Sequence, residues 1–272
     1  MTGGRAARIR VLVAEHAARR GARIAVADVC TAAVAALPID GAGVSAMSKA
    51  SPGHPLYSTG PLSERVEELQ LTLGEGPCPD AFALGSAVLA PDLRAAGERL
   101  RWPVFALEAV TAGAVAVFAF PLRIGAISPG VLGLYSGVPV ELDPGELADA
   151  MVFADTATLL LLGARINRAD GSPEDLGGYR AEIDQATGML AVQLGVRIEE
   201  AFVRLRAYAY SHEQRLADVS ADLVARRLRF GPDEDEYADA GSDLGSGADA
   251  GAGADEDEDE DEQEDRSAPD DA

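Results

Sequence analysis

The chain has 272 residues, with 45 acids against 23 basic residues and a formal net charge of −22. The excess is local: residues 231–272 hold 19 acids and one arginine, so the other 230 residues carry 26 acids and 22 bases. A hydrophobic content of 47% excludes disorder throughout, and two cysteines, Cys30 and Cys78, exclude a disulfide framework.

Residues 5–37 read as helix, with Ile9, Val13, Ile24, Val29, Val34 and Leu37 at helical spacing, divided at Gly21 and closed by Pro38. From Asp40 the pattern changes, and Val44 and Ala46 before Ser51-Pro52-Gly53 suggest a strand ending in a loop. Residues 62–71 return to helix, with Ser63 as N-cap and Val66, Leu69 and Leu73 on one face. Two apolar runs, 112–122 and 131–136, are joined by a Gly/Pro-rich turn and pair most simply as an antiparallel hairpin. Asp143-Pro144 opens a long helix to about Arg165, with Leu147, Met151, Ala154, Thr158 and Leu161 on one face. Helices interspersed with a strand meander make an α+β domain.

Residues 167–178 are a linker by composition. Three helical stripes follow: Ile183, Ala186, Leu190 and Leu194; then Ala201, Phe202, Leu205 and Ala209; then Leu216, Val219, Leu223, Val224 and Leu228. The third is expected to begin at Ser211, where Ser211-x-x-Gln214 fits a capping box. A bundle this small is marginal alone and calls for docking or dimerisation. The acidic stretch 231–272 is low-complexity and, by like-charge repulsion, is expected to be disordered.

Arginines scattered from Arg5 to Arg23 break any signal-peptide run, and the runs 112–122 and 156–163 fall short of the roughly 20 residues of a spanning helix, so a cytoplasmic protein without membrane attachment is expected. The single lysine, Lys49, is followed by alanine and excludes a phosphate-binding loop. His212-Glu213 opens like a zinc-protease motif, but Leu216 stands where the second histidine is needed. No nucleophile elbow is present. No catalytic residue, metal site or cofactor is expected.

Several segments resemble a known family. Asp40-Gly-Ala-Gly-Val-Ser45, the run 69–80 containing Gly74-Glu-Gly-Pro-Cys78, Arg101-Trp-Pro-Val-Phe105 and the run 116–122 resemble the GAF domains of actinobacterial GAF–ANTAR regulators. Ile183-Asp-Gln-Ala-Thr-Gly-Met-Leu190, the run 200–207 and Val219-Ser-Ala-Asp-Leu-Val224 resemble the three ANTAR helices. The resemblance spans about residues 25–230. It implies an N-terminal helical segment (1–21), a GAF-like sensor of six antiparallel strands flanked by helices (22–166), a linker (167–178), an all-α ANTAR module (179–230) and the acidic tail (231–272). It further implies a transcription antiterminator that binds paired stem-loops in nascent mRNA, works as a homodimer, here through the helix 144–165, and takes a small molecule at the GAF domain. The alternative is a sensor whose bundle docks protein.

On these grounds the RNA-binding candidates are Gln185, Ala186, Thr187, Gly188, Arg204, Arg206 and Tyr208. Unpaired bases stack on aromatic or guanidinium planes while cations meet phosphate. The general ANTAR pattern has lysine where this chain has Thr187. Arg226, Arg227 and Arg229 serve equally well as helix C-terminal charge complements, worth about 0.3–1 kcal/mol each. Ala186 and Gly188 fit close helix packing or close RNA approach. Residues 179–230 hold eight arginines and seven acids, well short of a strongly basic footprint. Cys78 and Trp102 read as packed residues, and the acidic tail as a solubilising appendage or an electrostatic competitor for the arginine face.

Overall fold

The computed structural model describes residues 2–48, 51–168 and 178–231. Most of the expected linker (169–177) and the acidic stretch 232–272 lie outside the described residues. Helices α1 (Thr2–Arg20) and α2 (Val26–Ala36) divide at Gly21, whose φ of 67° is a left-handed conformation glycine adopts without strain. Asp28 locks this corner. Its carboxylate accepts the Ala25 N–H at 2.8 Å and pairs with Arg20 at 2.7 Å.

Strands β1 (Gly41–Ser48), β2 (Ser51–Ser58), β3 (Val88–Ala90), β4 (Ala116–Ile124) and β5 (Ile127–Ser136) form one antiparallel sheet in the order β2-β1-β5-β4-β3. The described residues thus contain five strands where the resemblance implied six. Residues 51–53, expected as loop, begin β2. An edge strand tolerates Pro52 and Pro55 because one row of its backbone groups needs no ladder partner, and register shifts on β1 absorb the irregularity. The expected hairpin is β4–β5, in register Phe118↔Leu134 and Phe120↔Leu132.

Both sheet faces are covered, which explains why β4 and β5 read as continuous apolar runs. Phe118, Phe120, Leu122, Leu132, Leu134, Ala42 and Val44 meet Ile9 and Val13 of α1, Val29 and Ala33 of α2, and α7 (Pro144–Arg168). On the other face Val117, Ala119, Val131 and Tyr135 pack with Val66 and Leu69 of α3 (Pro61–Leu73) and Cys78 and Ala81 of α4 (Pro77–Leu84). Trp102, which follows α5 (Ala96–Arg101), and Phe105 and Ala109 of α6 (Phe105–Thr111) complete that core. Each buried phenylalanine contributes about 1.5–3 kcal/mol of transfer free energy.

Two expected positions shift. Gly60, not Ser63, is the N-cap of α3. Ser63 is buried, its hydroxyl 3.0 Å from Thr59 Oγ1. The core face of α7 is Ala150, Phe153, Ala154, Ala157, Thr158 and Leu161, whereas Met151 points outward at 55% exposure. Residues Pro144–Ala164 are long and apolar enough to cross a membrane, contrary to the length argument above, but that face fills the core as in an ordinary buried helix.

The C-terminal bundle comprises α8 (Gly178–Leu194), α9 (Ile198–Ser211) and α10 (Leu216–Val224). Its core contains the predicted Ile183, Ala186, Leu190, Ala201, Phe202, Leu205, Ala209, Leu216, Val219 and Leu223, and adds Phe230 and Leu71 from α3. The capping box at Ser211 does not form. Ser211 ends α9, its Oγ bonded to the Tyr208 carbonyl at 3.1 Å, and Arg215 is the N-cap of α10. Helix α10 stops at Val224, earlier than Leu228, because Arg226 turns left-handed (φ 58°) and the Arg227 and Leu228 N–H groups fold back to the Asp222 carbonyl. The bundle and the sheet part belong to one compact unit, Met1–Gly231.

Candidate functional site

Two features stand out: a groove on the bundle, and a seam where the bundle meets the sheet part. The groove, about 570 Å³, runs between α8 and the segment after α10. Gln185, Gly188, Met189, Val192 and Gln193 form one wall, and Leu223, Arg226, Leu228 and Arg229 the other. Gln193 Nε2 donates to the Phe230 carbonyl at 2.5 Å and ties the second wall to the first. A Cβ at Gly188 would meet nothing within 4 Å, so packing does not demand glycine there and the helix backbone is open to close approach. Among the described residues Arg226 and Arg229 have no ion-pair or hydrogen-bond partner for their side chains, whereas Arg227 pairs with Asp222 at 2.6 Å. Arg226 holds its left-handed φ without the advantage of glycine, a strain of order 1–3 kcal/mol.

The predicted residues divide between outside and inside. Gln185 and Gly188 line the groove. Ala186 is fully buried in the bundle core, and Thr187 is 5% exposed with its hydroxyl donating to the Ile183 carbonyl at 2.7 Å. Position 187 therefore faces inward, and threonine suits it because its hydroxyl is satisfied within the helix. Arg204 pairs with Glu200 at 2.9 Å one turn away. Tyr208 is half-buried, stacked on His212 at 3.8 Å between ring centroids and tilted against Phe230 at 4.9 Å. Arg204, Arg206 and residues 185–188 do not share one exposed face.

Arg206 belongs to the seam. Its Nε donates to the Thr72 carbonyl at the end of α3 at 2.6 Å, and its guanidinium lies 5.6 Å from the Phe202 ring centroid. Burial lowers its pKa from the usual arginine value. Gly74, left-handed at φ 69°, ends α3 beside it, and any Cβ there would collide with the guanidinium. Buried Glu68 completes the seam: its Oε1 accepts the Leu216 N–H at 2.8 Å, capping α10 from another domain.

Beneath the seam lies a buried carboxyl. Glu67 accepts hydrogen bonds from the Ser45 and Tyr135 hydroxyls. Gly43 and Gly133 face each other across β1 and β5, and a Cβ at Gly43 would come within 2.6 Å of Glu67 Oε1. The glycine pair is thus a window in the sheet that admits the carboxyl. Burial pushes the Glu67 pKa up, against the pull of the two hydroxyl donors, and burial raises the Cys30 and Cys78 thiols as well. Both cysteines are free and buried, so neither offers a reactive thiolate. Glu67, Glu68 and Gln70 escaped the sequence reading, although three polar residues interleaved with Val66 and Leu69 are an unusual run for a buried helix.

The residues 179–224 match the family model described as the ANTAR domain. That segment is an ANTAR domain. No curated protein matches the chain at a significant level. Among solved structures, the N-terminal part is similar to the GAF domain of an Acinetobacter phosphoenolpyruvate-protein phosphotransferase (13% identity, TM-score 0.46, covering 62% of this chain and 98% of that one). It is similar also to the corresponding domain from Coxiella burnetii (14%, 0.45, 60% and 98%) and to the GAF-B domain of DevS from Mycobacterium smegmatis (18%, 0.39, 53% and 94%). The part preceding the ANTAR domain is an antiparallel sheet of five strands between two helical layers.

Proposed function

We propose that the chain is a cytoplasmic, RNA-binding antitermination regulator in which a GAF-like input part controls an ANTAR domain that binds paired stem-loops in nascent mRNA. The observation that carries this reading is the groove of the ANTAR domain, where Gln185, Gly188, Arg226 and Arg229 combine an amide, an open backbone and two guanidinium groups with no partner among the described residues. Such a set suits an unstacked base edge flanked by phosphates. The RNA contact is reassigned accordingly, from Arg206 to Arg226 and Arg229. The activity is binding, not catalysis. A dimer would use the outer side of α7, where Met151 and Leu159 are exposed at 55% and 61%.

The test is binding of the full chain to a tandem stem-loop RNA and to a loop-scrambled control across a salt series. Loop-dependent binding that falls about tenfold in an Arg226→Gln/Arg229→Gln variant, with a shallower salt slope, is the expected result. Equal affinity for both RNAs overturns the reading. One observation favours protein docking as the second reading: Val192, Met189, Leu223 and Leu228 give the same groove an apolar floor, with Val192 85% exposed.

A further inference from the structure

A cavity of about 210 Å³ lies along the seam, bounded by β1, the start of β2, α3, α4 and Arg206 of the ANTAR domain. Its polar inventory is uneven. Gln70 is only 3% exposed; its Oε1 accepts the Cys78 N–H at 2.7 Å, and its Nε2 has no partner. Arg206 spends its Nε on the Thr72 carbonyl, and its two terminal nitrogens have no hydrogen-bond acceptor among the described residues. The acceptors in the wall are already engaged, since both Glu67 oxygens take hydroxyl protons. The rest of the lining is largely apolar: Met47, Leu71, Pro79 and Phe82. An orphaned buried donor costs about 1–3 kcal/mol and persists where something else supplies the acceptor.

We infer that this cavity takes a small carboxylate with a short apolar tail, its oxygens between Gln70 Nε2 and Arg206 and its tail against Met47, Leu71 and Phe82. The inference rests on the input–output reading above and names the input. A neutral ligand would leave the guanidinium charge unmatched. Inorganic phosphate would bring more charge than one guanidinium balances, next to a carboxyl. A singly charged carboxylate matches the single guanidinium charge, and the guanidinium fork suits its two oxygens. Because Arg206 comes from α9 while Gln70, Met47 and Phe82 come from the sheet part, the ligand touches both domains. Ligand that binds only the docked arrangement favours it by mass action, so input chemistry reaches the ANTAR domain without a rigid linker.

The experiment uses the full chain with hexanoate, hexanamide and inorganic phosphate as probes, read by calorimetry and thermal melting. Hexanoate is expected to bind at least about tenfold more tightly than hexanamide or phosphate. Arg206→Leu abolishes that preference and Arg206→Lys restores part of it. Phe82→Trp narrows the cavity from the sheet side and weakens hexanoate while leaving the Arg206–Thr72 contact intact, a control for undocking. Hydrogen exchange in α9 slows with hexanoate. Equal binding of acid and amide, phosphate binding as tight as hexanoate, no binding, or Arg206→Leu binding like the parent overturns the proposal. RNA binding without hexanoate binding removes only this site; hexanoate binding without loop-dependent RNA binding removes only the regulator reading.

Discussion

The sheet part and the ANTAR domain bury their apolar residues in different ways. In the first, helices cover both faces of a five-stranded sheet, so Phe118, Phe120 and Leu132 are enclosed from one side and Val117, Val131 and Tyr135 from the other. In the second, three short helices close around one row of side chains each and borrow Leu71 and the Glu68 cap from α3. A two-faced sheet supplies its own core; a bundle this small leans on a neighbour. The residues that join the two parts, Leu71, Glu68, Thr72 and Arg206, are consequently the places where the ANTAR domain takes its support from the sheet part, and the regulation proposed above would act on the same atoms.

Mutations can break or sharpen this contrast. Phe118→Ala should cost about 3–5 kcal/mol and unfold the sheet part in denaturant, taking the borrowed support of the ANTAR domain with it. Leu71→Ala should cost about 2–3 kcal/mol, felt as faster hydrogen exchange in α8–α10 with β4 and β5 still protected. Uniform loss of protection would show that the two parts are one cooperative unit. Arg226→Gly relieves a left-handed arginine and should raise stability by about 1 kcal/mol while weakening loop-RNA binding. A variant that gains stability and keeps full RNA affinity would free Arg226 from the RNA role.

The smallest effect is a slope against pH. The folded-state pKa of Glu67 lies above its unfolded value, so the folded chain holds that proton more tightly. Stability from this group is fully present below the ordinary glutamate range and is lost as pH rises through the folded pKa. Glu67→Gln should flatten that decline in melts taken across the acidic range. An unchanged slope would mean the carboxyl stays charged behind its two hydroxyl donors.

Much of this was legible in the chain itself. The apolar runs of β4 and β5, the stripes of α8, α9 and α10, and the break at Gly21 all report local periodicity and backbone preference, which act between near neighbours. The failures were of two kinds. Cap assignments at Ser63 and Ser211 failed because competing partners, Thr59 for one and the Tyr208 carbonyl for the other, are decided by how the chain arrives. The burial of site residues was not legible because exposure is not a local property: Ala186 and Thr187 directly precede Gly188 yet face the core, and Arg206 looks like any surface arginine until α3 meets it.

By itself the sequence determined the two kinds of architecture, their order and the ANTAR match, since hydrophobic period and motif spacing need no long-range information. Only the tertiary structure decided which arginines are free. Whether a guanidinium meets solvent or the Thr72 carbonyl, 134 positions away in the chain, depends on the docking of one domain against another, and no window of sequence contains that contact.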